Sequence, residues 1–480
     1  MHVVVIGSGI VGAGAAYYLA RKGAEVTVVD GGYPGEATGA GAGIVCPWVD
    51  HPEDDAWYRL TREGARHYPG LVEELGEDIG YAKVGALLVA EDPVDLEPVR
   101  ALLRRRHPDA PEMGEITDVA TPSELFPPLS DTLSALLVPG AARVDGCSVR
   151  DALLRAAVAQ GARVRRGVAT LTPGGQVVLH PLARKAVDER WNPEATEEER
   201  WSPQDVDEQR SREAAGQGPA SHGVGAVGRA DEAGVQDEGP ASVGEEPAGL
   251  RQGPVGQSQG PAGQSDAPVG QGDGMAEQGG SWRQGAPLVP AAPPSSTATR
   301  APRPEGDGEP IEADRVIVAA GAWTGEVCRP LGVELPVFPR RGQIVHATLE
   351  GVDTAWWPMV LPRVGPYLLG FPDSRVVVGA TVEDVGFSPR VTMGGLAEVI
   401  EAGLRVAPGL FAATVTEARV GLRPVYAPGR ALIGPVTGRV VVATGLSAYG
   451  LTAGPFTGEL AAALALGEEP PIDITPYAPA

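Results

Sequence analysis

The sequence predicts an α/β protein in which a parallel sheet flanked by helices is joined to a second, mixed sheet and interrupted by a long disordered insert. Three observations predict it. Residues 1–30 read strand, helix, strand, with a glycine-rich turn after the first strand. Residues 79–90 and 335–381 are rich in strand-like segments and poor in helical ones, which sets a second sheet apart from the first. From Arg184 to Pro304 the composition shifts to Gly, Gln, Pro, Ser, Glu and Asp, and large aliphatic residues almost vanish.

With 480 residues the chain is long enough for two domains sharing a large core, and its hydrophobic fraction of 43% is that of a globular protein. The formal net charge of -23 counts against nucleic acid as a partner, because phosphate contacts need clustered Lys and Arg. The three cysteines, Cys46, Cys147 and Cys328, are scattered and lack CxxC spacing. No disulfide framework or zinc site is readable, and a reducing cytoplasm is the simplest setting. The seven histidines form no ligand cluster, so no metal is expected. Val3–Ala20 is apolar, but it is full of glycine and lacks a basic leader, which argues against a signal peptide. Nowhere do 18 apolar residues run together, so no membrane span is expected; peripheral membrane contact stays open.

The first element is the most informative. Val3-Val4-Val5-Ile6 reads as a short buried strand, Ala13–Lys22 as a helix, and Val26–Val29 as a second strand ending at Asp30. Between strand and helix stands Gly7-Ser8-Gly9-Ile10-Val11-Gly12. Gly7 permits the tight turn, Gly9 lets backbone approach a pyrophosphate, and Gly12 allows close helix packing. The helix N-terminus then faces the phosphates with its partial positive charge. Asp30, 18 residues beyond Gly12, is placed to accept hydrogen bonds from adenosine ribose hydroxyls. The register of strand, turn, helix, strand and acid makes this a Rossmann-type dinucleotide unit. The motif alone fits FAD and NAD equally. The run Ala37-Thr38-Gly39-Ala40-Gly41-Ala42-Gly43-Ile44 bears on that choice, since so small a loop can lie flat against a large planar ring and offer it backbone N–H groups.

Further along, Ser148–Gln160 has helical spacing and Ala162–Leu171 reads as two short strands. Arg184–Pro304 cannot bury enough apolar surface to offset its ordering entropy and is expected to be disordered. Asp314–Gly321 resumes with a buried strand ending in a glycine turn, so the insert falls within a loop, where added length is tolerated. Residues 392–406 read as a helix, 415–423 and 439–445 as strands, and 449–466 as a closing helix.

Taken together, the N-terminal unit, the 37–44 loop, Gly140–Gly146, Ala319–Trp323, Pro339–Gln343, Val378–Thr381, Gly421–Pro424 and Gly445–Leu451 resemble, in order and spacing, the D-amino-acid oxidase, glycine oxidase and D-amino-acid dehydrogenase superfamily of flavoproteins. The resemblance covers nearly everything outside the insert. It implies an FAD-binding domain over 1–77, 143–183, 305–335 and 418–470. The substrate domain would be 78–142 and 336–417, and the insert 184–304. It implies that Gly7, Ser8, Gly9, Ile10, Val11, Gly12 and Asp30 bind the ADP moiety, and that Thr38, Ala42, Gly43 and Ile44 line the pyrophosphate and flavin ring. Val168 would meet the adenine through its backbone. Gly321, Gly445, Tyr449, Gly450, Leu451 and Thr452 would border the flavin, the last helix facing its pyrimidine edge. Arg423, in Gly-Leu-Arg-Pro, resembles the arginine that binds the substrate carboxylate, and Tyr367 a tyrosine whose hydroxyl faces the substrate.

The resemblance has departures. The glycine-oxidase type carries an arginine where this chain has Ala448 and an asparagine where it has Tyr449, which counts against glycine itself as substrate. The sarcosine-oxidase branch attaches flavin through a cysteine, and none of the three follows Arg423, so noncovalent FAD is expected. The implied reaction is oxidation of a D-amino acid, glycine or N-methyl amine by hydride transfer to flavin N5, with oxygen, a quinone or a carrier protein taking the electrons. The competing readings are oxidation of a 2-hydroxy acid, and a non-enzymatic flavin-binding protein whose acidic arm recruits a partner.

Overall fold

The computed structural model describes residues 1–182 and 307–479. The expected disordered insert, 184–304, lies outside the described residues.

The first strand, His2–Ile6, buries Val3, Val4 and Val5 completely and pairs in parallel on both sides, with Glu25–Asp30 and with Arg315–Val318. A strand covered on both faces needs an unbroken apolar run, which is what the sequence provides. The full sheet has six strands in the order Leu432–Pro435, Val440–Thr444, Arg315–Val318, His2–Ile6, Glu25–Asp30, Arg163–Arg166. All are parallel except the antiparallel edge strand Leu432–Pro435. From the first strand the chain moves outward to Glu25–Asp30 on one side, and much later fills in Arg315–Val318 on the other. The order therefore reverses at the C-terminal end of His2–Ile6, the position where such sheets bind ligands.

Helices Ile10–Arg21, Gly146–Ala159 and Gly450–Leu466 share one buried cluster with that sheet. The first and last of them cross without intervening side chains: a methyl group on Gly458 would stand 2.5 Å from the Ala15 nitrogen. A fourth helix, Asp55–Leu75, packs on the last one and is capped by Asp54 Oδ1, which accepts the Trp57 N–H at 2.8 Å. Pro69 stands inside it, and an internal proline interrupts the pattern by which a helix is read from sequence.

The second sheet is mixed, as expected. Its eight strands run Thr414–Tyr426, Val337–Thr348, Arg375–Gly379, Tyr367–Gly370, Met359–Pro362, Ala86–Ala90, Ser134–Val138, Thr117–Val119. Neighbours are antiparallel except Met359–Pro362 beside Ala86–Ala90. Side chains alternate between two buried clusters. Val345, Leu368, Val376 and Val378 pack with Val399 of the helix Met393–Val406. Ile344, Leu369 and Val377 face the opposite way and pack with Ala42 of the glycine-rich loop and with Cys46 and Trp48, which follow it. This second face positions the site.

Within 79–90 only Ala86–Ala90 is a strand, because the chain turns at Gly80 and Gly85, both at positive φ. The expected domain boundary at 417/418 falls inside the strand Thr414–Tyr426, whose pairing with Val337–Thr348 continues to Tyr426 across a single irregularity at His346/Ala347.

Candidate active site

The glycine turn is built by steric necessity. Gly7 has φ +101°, and a methyl group there would overlap the Ala319 carbonyl; one on Gly12 would overlap the Gly7 carbonyl. Only glycine lets the helix start so close to the strand end. The turn is then fixed by side chains. Ser8 donates its N–H and its hydroxyl to Asp30 Oδ2 at 2.7 and 2.6 Å, and Gly32 N–H donates to Asp30 Oδ1 at 2.7 Å. Ile10 N–H donates to Thr38 Oγ1 at 3.0 Å. The Gly9, Val11 and Gly12 amides have no acceptor among the described residues. Three free N–H groups at the positive end of a helix form an anion cradle.

The residues assigned to the cofactor converge on one edge of the parallel sheet. Gly7, Asp30, Val168, Gly321 and Gly445 all stand at or just beyond the C-terminal ends of its strands. Gly167 N–H donates to the Asp30 carbonyl at 2.9 Å, which sets Val168 beside Asp30. Gly321 is held by Thr324 and Thr444, whose hydroxyls donate to its carbonyl at 2.9 and 3.0 Å. The 37–44 loop is strapped from two sides. Arg419 Nη1 donates to the Gly39 carbonyl at 3.1 Å, and a methyl group on Gly421 would come within 2.9 Å of Ala40 Cβ. Val144 N–H donates to the Gly43 carbonyl at 2.9 Å, and the Thr452 hydroxyl to that of Ile44 at 2.9 Å. The buried Tyr68 hydroxyl donates to the Leu451 carbonyl. The first turn of the last helix, Gly450–Thr452, is thereby fixed against the loop.

Arg423 and Tyr367 meet on the face of the second sheet that looks toward this loop. The Arg423 guanidinium lies over Gly342, and its Nη1 donates to the carbonyls of Thr381 at 3.0 Å and Arg341 at 3.3 Å. The Tyr367 hydroxyl is close enough to interact with it electrostatically and lies over Gly379. Arg340, Arg341, Arg375 and Arg419 on the same sheet each hold a carboxylate. Arg423 has none among the described residues. Burial pulls the Arg423 guanidinium below its ordinary range and pushes the Tyr367 phenol up, the nearby guanidinium partly opposing the latter. Both side chains are densely surrounded by protein yet keep accessible surface, as groups lining a cleft do. Tyr367 and Ile44 pack on the same buried cluster, which sets the half-buried Tyr367 on the side of the sheet that faces the loop.

Behind Arg423 is a polar network that the sequence did not reveal. Gln343 N–H donates to Thr381 Oγ1 at 2.9 Å, the Gln343 side-chain amide to Glu383 Oε1 at 2.7 Å, and the Thr381 hydroxyl to Glu383 Oε1 at 2.7 Å. Arg341 pairs with Glu383. This fixes the Thr381 carbonyl that Arg423 bonds to. The signal was present in Pro339-Arg340-Arg341-Gly342-Gln343, but no role followed from it. Asp50 was also missed: its Oδ2 accepts the Tyr449 hydroxyl at 2.6 Å.

A helix N-terminus with free amides at the switch point of a parallel sheet, beside a second sheet whose Arg423 has no carboxylate partner among the described residues, suits a nucleotide-cofactor oxidoreductase. The chain belongs to the family of FAD-dependent oxidoreductases, whose model matches residues 2–189 and 273–464. It is 33% identical to an uncharacterized oxidoreductase, YurR, of Bacillus subtilis (strain 168), over 99% of this chain and 98% of that protein. A glycine oxidase of Pseudomonas putida is 35% identical over 35% of this chain and 46% of its own length. Among solved structures, iminodiacetate oxidase (IdaA) from Chelativorans sp. BNC1 superposes with a TM-score of 0.71 at 35% identity, covering 99% of this chain and 98% of that one. Glycine oxidase from Geobacillus kaustophilus superposes at 0.65 with 19% identity, over 99% and 97%, a likeness of fold. The protein is an enzyme, and its cofactor is FAD. The glycine cradle and its three free amides fit the pyrophosphate. No helix among the described residues is long and apolar enough to cross a membrane.

Proposed function

We propose that this enzyme oxidises an amino acid of the D-amino, glycine or N-alkyl type. The observation that carries the reading is Arg423: a largely buried guanidinium fork with no carboxylate partner among the described residues, on the sheet face toward the 37–44 loop. An uncompensated buried cation is costly, and a ligand carboxylate is the partner that offsets it. The similarity to an iminodiacetate oxidase and to a glycine oxidase supports the same class.

FAD supplies the acceptor for the hydride lost from the substrate α-carbon. The chain supplies orientation. Arg423 takes the carboxylate bidentately, and the Tyr367 hydroxyl donates a further hydrogen bond to it. With the carboxylate held on the sheet side, the α-carbon is turned toward the 37–44 loop. The amides of Gly450–Thr452 would hold the pyrimidine edge of the flavin and would offset negative charge there. The oxidised product is an imine that water converts to a 2-oxo acid and ammonia or an amine. No side-chain acid or base is required, provided the substrate amine is neutral.

Anaerobic bleaching of the flavin tests the reading. D-amino, L-amino, N-alkyl amino and 2-hydroxy acids are mixed in turn with holoenzyme, and absorbance near the flavin band is followed. Bleaching by an α-amino acid is the expected result. Bleaching by 2-hydroxy acids alone would replace it with the hydroxy-acid reading.

A further inference from the structure

Tyr449 stands at the N-cap of the last helix, immediately before Gly450. Its hydroxyl donates to Asp50 Oδ2 at 2.6 Å. Its ring is boxed by the edges of Trp57, at 5.6 Å and 89°, and His51, at 5.1 Å and 62°. Asp50 is itself 7% exposed and belongs to a loop with little freedom. Arg106, on the helix Glu97–Arg106, donates to the carbonyls of Trp48 at 2.8 Å, Asp50 at 2.7 Å and His51 at 2.7 Å. Its guanidinium stacks over Tyr58 at 3.8 Å and has no carboxylate partner among the described residues. Three carbonyls and a ring face thus hold one cation, and that cation fixes the loop. Burial, and after it Asp50, pushes the Tyr449 phenol well above its ordinary range, so it remains a donor.

We infer that the Tyr449–Asp50 hydrogen bond is a positioning device that sets where the first amides of the last helix point, and through them how strongly the protein favours reduced over oxidised FAD. The step to FAD rests on the proposed placement of Gly450–Thr452 at the flavin pyrimidine edge. The physical reason is the short range of helix-end electrostatics. The partial positive charge at a helix N-terminus acts within the first turn and is worth ~0.3–2 kcal/mol for a well-placed charge. A cap residue free to swing moves that turn away from the anion. Tyr449 is suited to hold it because the donor is at the far end of a rigid ring, while its acceptor is on a loop that Arg106 clamps. Tyr449 and Asp50 are positioning residues in this scheme and need not touch the substrate.

The test uses purified holoenzyme and the flavin reduction potential, measured by equilibration with a reference dye, so that no substrate enters. Tyr449→Phe keeps the ring and its packing and removes only the donor. The expected result is a potential shifted negative, equivalent to reduced FAD binding roughly 2- to 30-fold less tightly relative to oxidised FAD. Asp50→Asn keeps an acceptor for the hydroxyl and should stay within about twofold of wild type by the same measure. Asp50→Ala removes the acceptor; should Tyr449→Phe fail to fold, it reads the same quantity. Melting temperature is recorded in parallel, since a merely structural contact would lower it and leave the potential alone. An unchanged potential in Tyr449→Phe overturns the inference. So does a strong positive shift in Asp50→Asn, which would mean that the Asp50 charge acts on the flavin directly. Failure of amino acids to bleach the flavin would instead count against the proposed reaction and leave this result standing.

Discussion

The guanidinium of Arg423 covers Gly342 so closely that a methyl group there would overlap its Cζ and both terminal nitrogens. Gly342 pairs with Gly421, and Gly421 carries the 37–44 loop. Two bare positions side by side therefore make room for the arginine on one strand and the cofactor loop on the next. Gly342→Ala is expected to displace the guanidinium and lower kcat/KM on an amino-acid substrate by at least tenfold, with FAD still bound. Steady-state kinetics and flavin content measure the two halves. A variant with wild-type kinetics would show that the arginine can move without cost.

Direct removal of the anchor should cost more. Losing one partner of a desolvated, charge-assisted pair costs roughly 2–5 kcal/mol, and ~1.4 kcal/mol is tenfold in rate. Arg423→Ala should lower kcat/KM on the order of 30-fold to several thousandfold, while flavin content and melting temperature hold. Arg423→Lys should recover only part, because a point charge lacks the planar fork. Near wild-type turnover in Arg423→Ala would move the search for the carboxylate partner elsewhere in the cleft.

His346 gives a pH dependence that belongs to the fold. It is 4% exposed, and its Nε2 has no hydrogen-bond partner. Burial first, then the cations Arg419 and Arg375, push its imidazole down to about 3. The unfolded chain has the ordinary value of about 6.5 and so binds the extra proton first as pH falls. The contribution to stability is complete above about pH 6.5, and it is lost progressively down to about 3, with a limiting slope of ~1.4 kcal/mol per pH unit. His346→Gln should lower the melting temperature at pH 7 but flatten its fall between pH 6.5 and 4.5. Parallel curves for the two proteins would remove His346 as the cause.

The strands that flank residues 183–306 pair with each other. Val177–His180 and Glu309–Ile311 are antiparallel, with Leu179 opposite Glu309. A short bridge can therefore join them as an ordinary hairpin. Replacing 184–304 with a brief Gly/Ser linker is expected to leave FAD content and melting temperature close to wild type. Loss of flavin in that protein would show that the excised residues support the fold.

The parts of the fold that could be read from the sequence are those where one residue type answers one local demand. Gly7 and Gly12 stand where only a hydrogen fits, and Val3, Val4 and Val5 where both faces are covered. The helix Asp55–Leu75 was hidden by Pro69, which interrupts the usual helical pattern. The site was legible through the resemblance at Arg423 and Tyr367. What held them was not, because the bonds from Gln343 to Thr381 and Glu383 span about 40 residues each and have no local signature. Asp50 is further still, 399 residues from Tyr449.

The crossing of the first helix over the last has a consequence for how the molecule is made. The central strand cannot gain its neighbour Arg315–Val318, nor the first helix its partner Gly450–Leu466, until those later segments have left the ribosome. A growing chain thus carries an unfinished glycine turn until they emerge, with the apolar flank of the first helix uncovered. Capture of FAD becomes a late event, and the yellow colour of the enzyme a certificate that both ends of the fold have found each other.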